Sequence, residues 1–247
     1  MRIGLIADVH ANLPALEAVL ADSKDREIDV IWNLGDFVGY GAYPDEVVKL
    51  LAHEAEINII GNYDQKVLLF PKKSKKWRNS KHPVKYLAFQ WAYDNLSQEA
   101  RDYLKELPEE VRLRVEGWRI LLTHASPYSN EEPITFQTPR ERLMELTKMA
   151  KADIILFGHS HQPLFIKVDE VWFINPGSIG RPDDGDPRAS YAVLQIEPGS
   201  ISCEHYRIDY DLDRATSRII ELNLPEAFAE MVLQGYSLDA ILGEETD

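Results

Sequence analysis

The chain has 247 residues, a single cysteine, and 27 basic against 41 acidic side chains, for a formal net charge of −14. A chain of this length buries most of its surface without disulfides, and one cysteine, Cys203, excludes both an internal bridge and a thiolate zinc cluster. The acidic balance disfavours general nucleic-acid binding. No stretch approaches the ~20 apolar residues of a membrane span, and Met1 and Arg2 lead into an apolar run without a signal peptide, so a cytoplasmic protein is expected.

In chain order, Ile3 to Ala7 predicts a strand that ends at Asp8 and His10. Leu13, Leu16, Val19 and Leu20 then follow helical spacing over Leu13 to Lys24, with Asn12 as N-cap and Pro14 in the first turn. Val30 to Leu34 is the next strand, closed by Gly35 and Asp36; Pro44 to His53 is a helix; Ile57 to Ile60 is a third strand before Gly61, Asn62, Tyr63 and Asp64. This β-α-β-α-β opening implies a mostly parallel sheet.

The register changes from about 65 to 108 into a helical insertion, in which Tyr86, Leu87, Phe89, Trp91 and Tyr93 suit one or two helix faces. Lys72, Lys73, Lys75, Lys76, Arg78, Lys81 and Lys85 form a run without an acid, read as a solvated loop, or alternatively as an attractor for a polyphosphate with Trp77 or Tyr86 as stacking partner. Val111 to Val115 and Arg119 to Leu122 predict a hairpin, the latter strand ending at Thr123 and His124. A helix follows at Pro139 to Ala150 with Thr138 as N-cap, then a strand at Ile154 to Phe157 ending in Gly158, His159 and His161. A second hairpin, Leu164 to Val168 and Val171 to Ile174, leads to Asn175, Pro176, Gly177 and Ser178. Strands at Ser190 to Ile196 and Ser202 to Ile208 and helices within about 211–243 complete a single domain over 1–247. Arg181 and Arg188 flank Asp183, Asp184 and Asp186, where mutual ion pairing is expected. Parallel units followed by hairpins suggest two sheets packed face to face with helices outside.

Ligands in open α/β sheets bind beyond the carboxyl ends of the strands, so six polar strand ends are expected to converge. Asp8, His10, Asp36, Asn62, His124, His159 and His161 exceed what one ion needs, and their mixed oxygen and imidazole donors suit manganese, iron, zinc, cobalt or nickel better than magnesium or calcium. Each has an ordinary alternative when taken alone: His10 a helix cap, His124 a core histidine, Asp8 a turn former. Two ions about 3.5–4 Å apart need a bridging carboxylate, for which Asp36 is placed.

Asp8-Val9-His10, Gly35-Asp36-Phe37-Val38-Gly39, Gly61-Asn62-Tyr63-Asp64, His124 and Gly158-His159-Ser160-His161 resemble the signature of the calcineurin-like metallophosphoesterases. The resemblance implies an α/β fold, a four-layer αββα sandwich of two mixed sheets, and two divalent transition-metal ions, manganese first. Asp8, His10, Asp36 and His161 would hold one ion, and Asp36, Asn62, His124 and His159 the other, with Asn175 and Ser178 as supports. It further implies hydrolysis of a small phosphoester or nucleotide-like substrate, a phosphodiester or phosphoanhydride, by a hydroxide bridging the ions. Asn62, Tyr63 and Asp64 are the candidate catalytic residues, with Asp64 expected to orient a neighbouring histidine. Gly39 to Pro44 and Gly185 to Tyr191 are similar to a small prokaryotic group labelled diadenosine-tetraphosphatase-like, and to compact phosphodiesterases. Many members carry His where this chain has Tyr63; a phenol with an ordinary pKa near 10 is a poor proton donor beside imidazolium. Phosphomonoesterase or protein phosphatase activity and a binding-scaffold role, as in the retromer subunit of this fold, are the competing readings. The oligomeric state is left open.

Overall fold

Alternation of side chains along the strands decides the layering. The computed structural model describes residues 1–243. Among these, Arg2–Ile6 (β1), Val30–Asn33 (β2), Ile57–Asn58 (β3), Ala189–Glu197 (β9) and Ser200–Ile208 (β10) form one sheet, in the order β10-β9-β1-β2-β3. Glu110–Val115 (β4), Trp118–Thr123 (β5), Ile154–Leu156 (β6), Leu164–Val168 (β7) and Val171–Asn175 (β8) form the second, in the order β4-β5-β6-β8-β7. Ile3, Leu5, Trp32, Ile120, Leu122, Ile154 and Leu156 point into one core between the sheets. Their neighbours point outward: Ile6 and Ile31 against helices Leu13–Asp25 (α1) and Pro44–Glu54 (α2), Leu121 and Ile155 against Arg140–Ala150 (α6). Strands apolar on both sides therefore have a helix layer outside each sheet, and each fully buried Leu or Ile contributes about 1.5–3 kcal/mol. This is the expected four-layer α/β sandwich.

β1, β2 and β3 are parallel, as are β5, β6 and β8, while β4, β7, β9 and β10 run antiparallel to their neighbours. All six predicted polar strand ends follow one of the parallel strands. β3 is shorter than expected, because after Ile59, whose amide still donates to Asn33 O (3.2 Å), the Ile60 amide turns to the Pro108 carbonyl (2.9 Å).

The helices Asn62–Ser80 (α3), Pro83–Asn95 (α4) and Gln98–Glu106 (α5) occupy the predicted helical segment. The lysine-rich run is not a loop. α3 starts at the site, where the Asp64 carboxylate accepts from the Gly61 amide at its first turn, and lysines propagate a nucleated helix well. Trp77 and Phe89 pack together with ring centroids 5.5 Å apart, so these aromatics serve the core. Thr138 is not the N-cap of α6: Pro139 holds that position, and the Thr138 hydroxyl accepts from the Thr135 amide. Asn12 does cap α1, accepting from Ala15 (3.3 Å). Leu212–Glu221 (α7), Glu226–Gln234 (α8) and Leu238–Leu242 (α9) close the described chain. No helix of the described residues is long and apolar enough to cross a membrane.

Candidate metal centre

The loops after β1, β2 and β6 turn through backbone conformations that side chains seldom adopt. Asp8, His10, Asp36, His159 and His161 all have φ between 47° and 64°. Left-handed residues cost on the order of 1–3 kcal/mol each when strained, and they persist where surrounding contacts enforce them. Those contacts cross between the loops: the Asp8 amide donates to Gly35 O (3.0 Å), the His10 amide to Asp36 O (3.0 Å) and the Gly158 amide to His124 O (2.8 Å). Gly61 permits a close approach, since a Cβ there would lie 2.1 Å from Asp36 Oδ1.

These turns bring the predicted donors together. His10 Nε2 and His161 Nε2 are 3.3 Å apart, and His161 Nε2 is 3.4 Å from Asp8 Oδ1. His124 Nε2 lies 3.3 Å from Asn62 Oδ1 and 3.4 Å from Asp36 Oδ2. Donors about 2.1 Å from a common ion have mutual spacings of about this size. Asp36 Oδ1 accepts from the Tyr63 amide (2.8 Å), which turns Oδ2 toward His10 (3.8 Å) and His124 (3.4 Å). One carboxylate oxygen thus stands between two donor groups. Asp8, His10 and His161 form one cluster suited to an ion, and Asp8, Asp36 and His124 another.

His159 is placed differently. Its ring lies against His124, centroids 5.3 Å apart, but it is only half-buried at the rim and its Nε2–H donates to Glu131 O (3.2 Å). Its backbone amide donates to Asp8 Oδ2 (2.9 Å). Glu131 was not legible as part of the site, because it contributes only a carbonyl.

The supports fix tautomers and backbone. His10 Nδ1–H donates to Val38 O (3.2 Å) and His124 Nδ1–H to Leu34 O (2.8 Å), leaving each Nε2 lone pair facing the centre. Asp64 orients no histidine: its oxygens accept from the backbone amides of Asp36, Val38 and Gly61 at 2.9–3.1 Å, pinning the Asp36 turn. Asn175 donates to Gly158 O (2.7 Å), and the Ser178 hydroxyl to Asp8 O (2.7 Å).

Burial keeps most of the imidazoles neutral, lowering His10 to about 3 and His159 and His161 to about 4. Burial opposes charge on His124 too, but Asp36 outweighs it and pushes that ring up to about 9. Asp36 is correspondingly held well below the carboxylate range despite its burial, by the His124 charge and hydrogen bond. Burial, then the Asp36 charge, raises Asp64 to about 7. The donors fit divalent ions: the imidazoles of His10 and His161 are kept neutral, a cation would take the place of the His124 proton beside Asp36, two carboxylates are buried, and Asp8 Oδ1 has no hydrogen-bond partner.

Tyr63 packs edge-on against His10, ring centroids 5.1 Å apart, and its hydroxyl forms a short hydrogen bond with the Tyr40 hydroxyl. Tyr40 was missed as a partner; its setting between Gly39 and Gly41 was the available signal. Arg188 pairs with Asp186 as expected, but Asp184 pairs with Arg207, and Arg181 lies over the Tyr40 ring beside His10.

An αββα sandwich with metal donors gathered at the strand ends defines the phosphoesterase class. The calcineurin-like phosphoesterase superfamily domain model matches residues 1–199. The uncharacterized protein MJ0912 of Methanocaldococcus jannaschii is 33% identical over 94% of this chain and 98% of its own length. Phosphodiesterase YfcE of Escherichia coli is 25% identical over 81% of this chain and 91% of its own. A crystal structure of a metallophosphoesterase from Sphaerobacter thermophilus superposes with a TM-score of 0.78 at 32% identity, covering 95% of this chain and 99% of the other. The chain belongs to the calcineurin-like phosphoesterase superfamily.

Proposed function

We propose that the protein is a dinuclear hydrolase of small phosphodiesters or phosphoanhydrides. The observation that carries this reading is Asp36 Oδ2 standing between His10 and His124, each on a separate donor cluster. Asp8, His10, Asp36 and His161 would hold one ion, and Asp36, Asn62, His124 and His159 the other, with manganese the first candidate. Such ions supply positive charge for phosphoryl oxygens and lower the pKa of water to about 7.

The chain's own residues set the rest. Val38 O and Leu34 O hold the His10 and His124 tautomers, and Asp64 holds the turn that aims Asp36. Tyr63 stands at the position where many members of the family carry His, with its ring against His10 (centroids 5.1 Å apart). Burial and the neighbouring Tyr40 keep its phenol well above 10, so it holds its proton at every working pH. Substrates with good leaving groups are therefore favoured over alkyl monoesters. The phosphodiesterase name of the YfcE relative supports the same class.

The test is a metal-stripped preparation reloaded with manganese, nickel, zinc or magnesium and assayed on bis(p-nitrophenyl) phosphate, p-nitrophenyl phosphate and diadenosine tetraphosphate. Metal-restored turnover of the diester or the tetraphosphate ahead of the monoester is expected. Two bound ions with no turnover on any of the three would overturn the reading.

A further inference from the structure

A cation beside the centre has donors that the fold does not use. Residues 178–181 are fastened to the first ligand loop: Ile179 N donates to Ala7 O (3.1 Å), Gly180 N to Asp8 O (3.1 Å), and Asn12 Nδ2 to Gly180 O (3.1 Å). A Cβ on Gly180 would lie 1.8 Å from Val9 O, so backbone packs directly on backbone. Arg181 follows, its amide donating to the Ser178 hydroxyl (2.9 Å), and its position relative to Asp8 and His10 is thereby set.

The Arg181 guanidinium lies over the Tyr40 ring, Cζ 4.7 Å from the centroid, and lines with His10 and Tyr40 a cavity of about 20 Å³. After burial, its charge is among the influences that depress both His10 and His161. Among the described residues its side chain makes no hydrogen bond or ion pair, and Nε is buried without a partner. The neighbouring cations differ, Arg188 taking Asp186 (2.6 Å) and Arg207 taking Asp184.

Unused buried donors are costly, and a positive charge beside a cation-binding centre is repelled by its contents. An oxyanion between them removes both penalties, and the planar guanidinium fork matches two phosphate oxygens at once. A cavity of about 20 Å³ has room for about one water, so the space behind Arg181 is no base pocket. The anion must sit on the centre's side of the guanidinium.

We propose that Arg181 is a phosphate-binding residue of this centre, donating to non-bridging oxygens of the phosphoryl group on the His10 and His161 side. As a statement about substrate this rests on the hydrolase reading, but anion binding is measurable without turnover.

The experiment is calorimetric titration of inorganic phosphate into the manganese-loaded protein, wild type against Arg181→Gln and Arg181→Lys, with metal content and Tm recorded for each. Arg181→Gln is expected to raise the phosphate Kd by about 10-fold or more, and Arg181→Lys by less, because the ammonium keeps the charge and loses only the fork, both at wild-type metal content. KM for bis(p-nitrophenyl) phosphate should rise in the same order. Unchanged phosphate affinity in Arg181→Gln overturns the proposal. So does weakening that only tracks lost metal, which would make Arg181 a structural residue. A wild type that binds phosphate through Arg181 yet hydrolyses no phosphoester overturns the hydrolase reading and leaves the anion site standing.

Discussion

The two flanks of the centre are built by opposite means. On the His10 and His161 flank, Tyr63 and Tyr40 close the wall, Phe228 backs Tyr40 with centroids 5.4 Å apart, and Arg181 lies over the same ring. On the His124 and His159 flank the rim is polar and partly exposed: His159 donates to Glu131 O, and Lys66 pairs with the Glu131 carboxylate at 2.9 Å. Packing holds the first flank in place, while solvated ion pairs of small net worth line the second. Substitutions on the closed flank should therefore cost structure or affinity, and those on the open flank should be tolerated.

The largest effect belongs to the residue common to both flanks. Asp36→Ala removes the shared oxygen and should lower metal-restored hydrolysis of bis(p-nitrophenyl) phosphate by about 10³-fold or more, with reduced metal by elemental analysis, since the bridging ligand positions both ions. Full metal content with full activity would sink the bridging role.

On the closed flank, Gly180→Ala forces a methyl onto Val9 O and should destabilise by about 2–3 kcal/mol in urea denaturation. A loss below about 0.5 kcal/mol, within the range of ordinary surface changes, would show that this flank is less rigid than its hydrogen bonds imply.

Tyr63 tests the leaving-group argument. Tyr63→His should raise p-nitrophenyl phosphate turnover relative to the diester by on the order of 10-fold, by supplying a proton donor. Tyr63→Phe should cost about 1 kcal/mol of stability through the lost Tyr40 partner. An unchanged monoester-to-diester ratio in Tyr63→His would remove Tyr63 from the account of specificity.

On the open flank, Glu131→Gln breaks the Lys66 pair but keeps the carbonyl that His159 uses, so stability should change by about 0–1 kcal/mol and kcat by less than about 3-fold. A larger loss would erase the contrast between the flanks.

The smallest effect is an acid-range one on the segment that follows Arg181. The Arg188 hydrogen bonds hold Asp186 down from 3.8 to about 2 in the folded protein. The unfolded chain therefore binds this proton first as pH falls. The stabilisation is full above about pH 4 and vanishes as pH drops through about 2. Asp186→Asn should narrow the Tm difference between pH 5 and pH 3, and an unchanged difference would show that the pair contributes nothing.

Much of the site was legible because its ligands stand at the ends of apolar strands. Asp8, Asp36, His124 and the Gly158 to His161 turn follow runs whose pattern announces parallel strands, and parallel strands present their carboxyl ends on one edge. The unread parts depend on backbone groups or on distant partners. Asp64 binds three amides, and those of Asp36 and Val38 lie on a distant loop that no local motif encodes. The lysine run was misread because charge density masked a helix whose nucleus lies at Asn62. Arg181 looked like a partner for the acids beside it in sequence, whereas Asp184 is taken by Arg207 on β10.

By itself, the amino-acid sequence determined the strand order of chemistry, two face-to-face sheets with helices outside from its apolar runs and hairpins, and the donor types that select divalent transition metals. Tertiary structure alone decided which oxygen of Asp36 faces both histidine clusters, that His159 lies at the rim, and that Arg181 is left with free donors beside the centre. The physical reason is range. Periodicity and residue type are local properties, whereas a carboxylate's orientation and a guanidinium's lack of partners are set by hydrogen bonds between loops far apart in the chain, such as Ser178 to Asp8 across 170 positions.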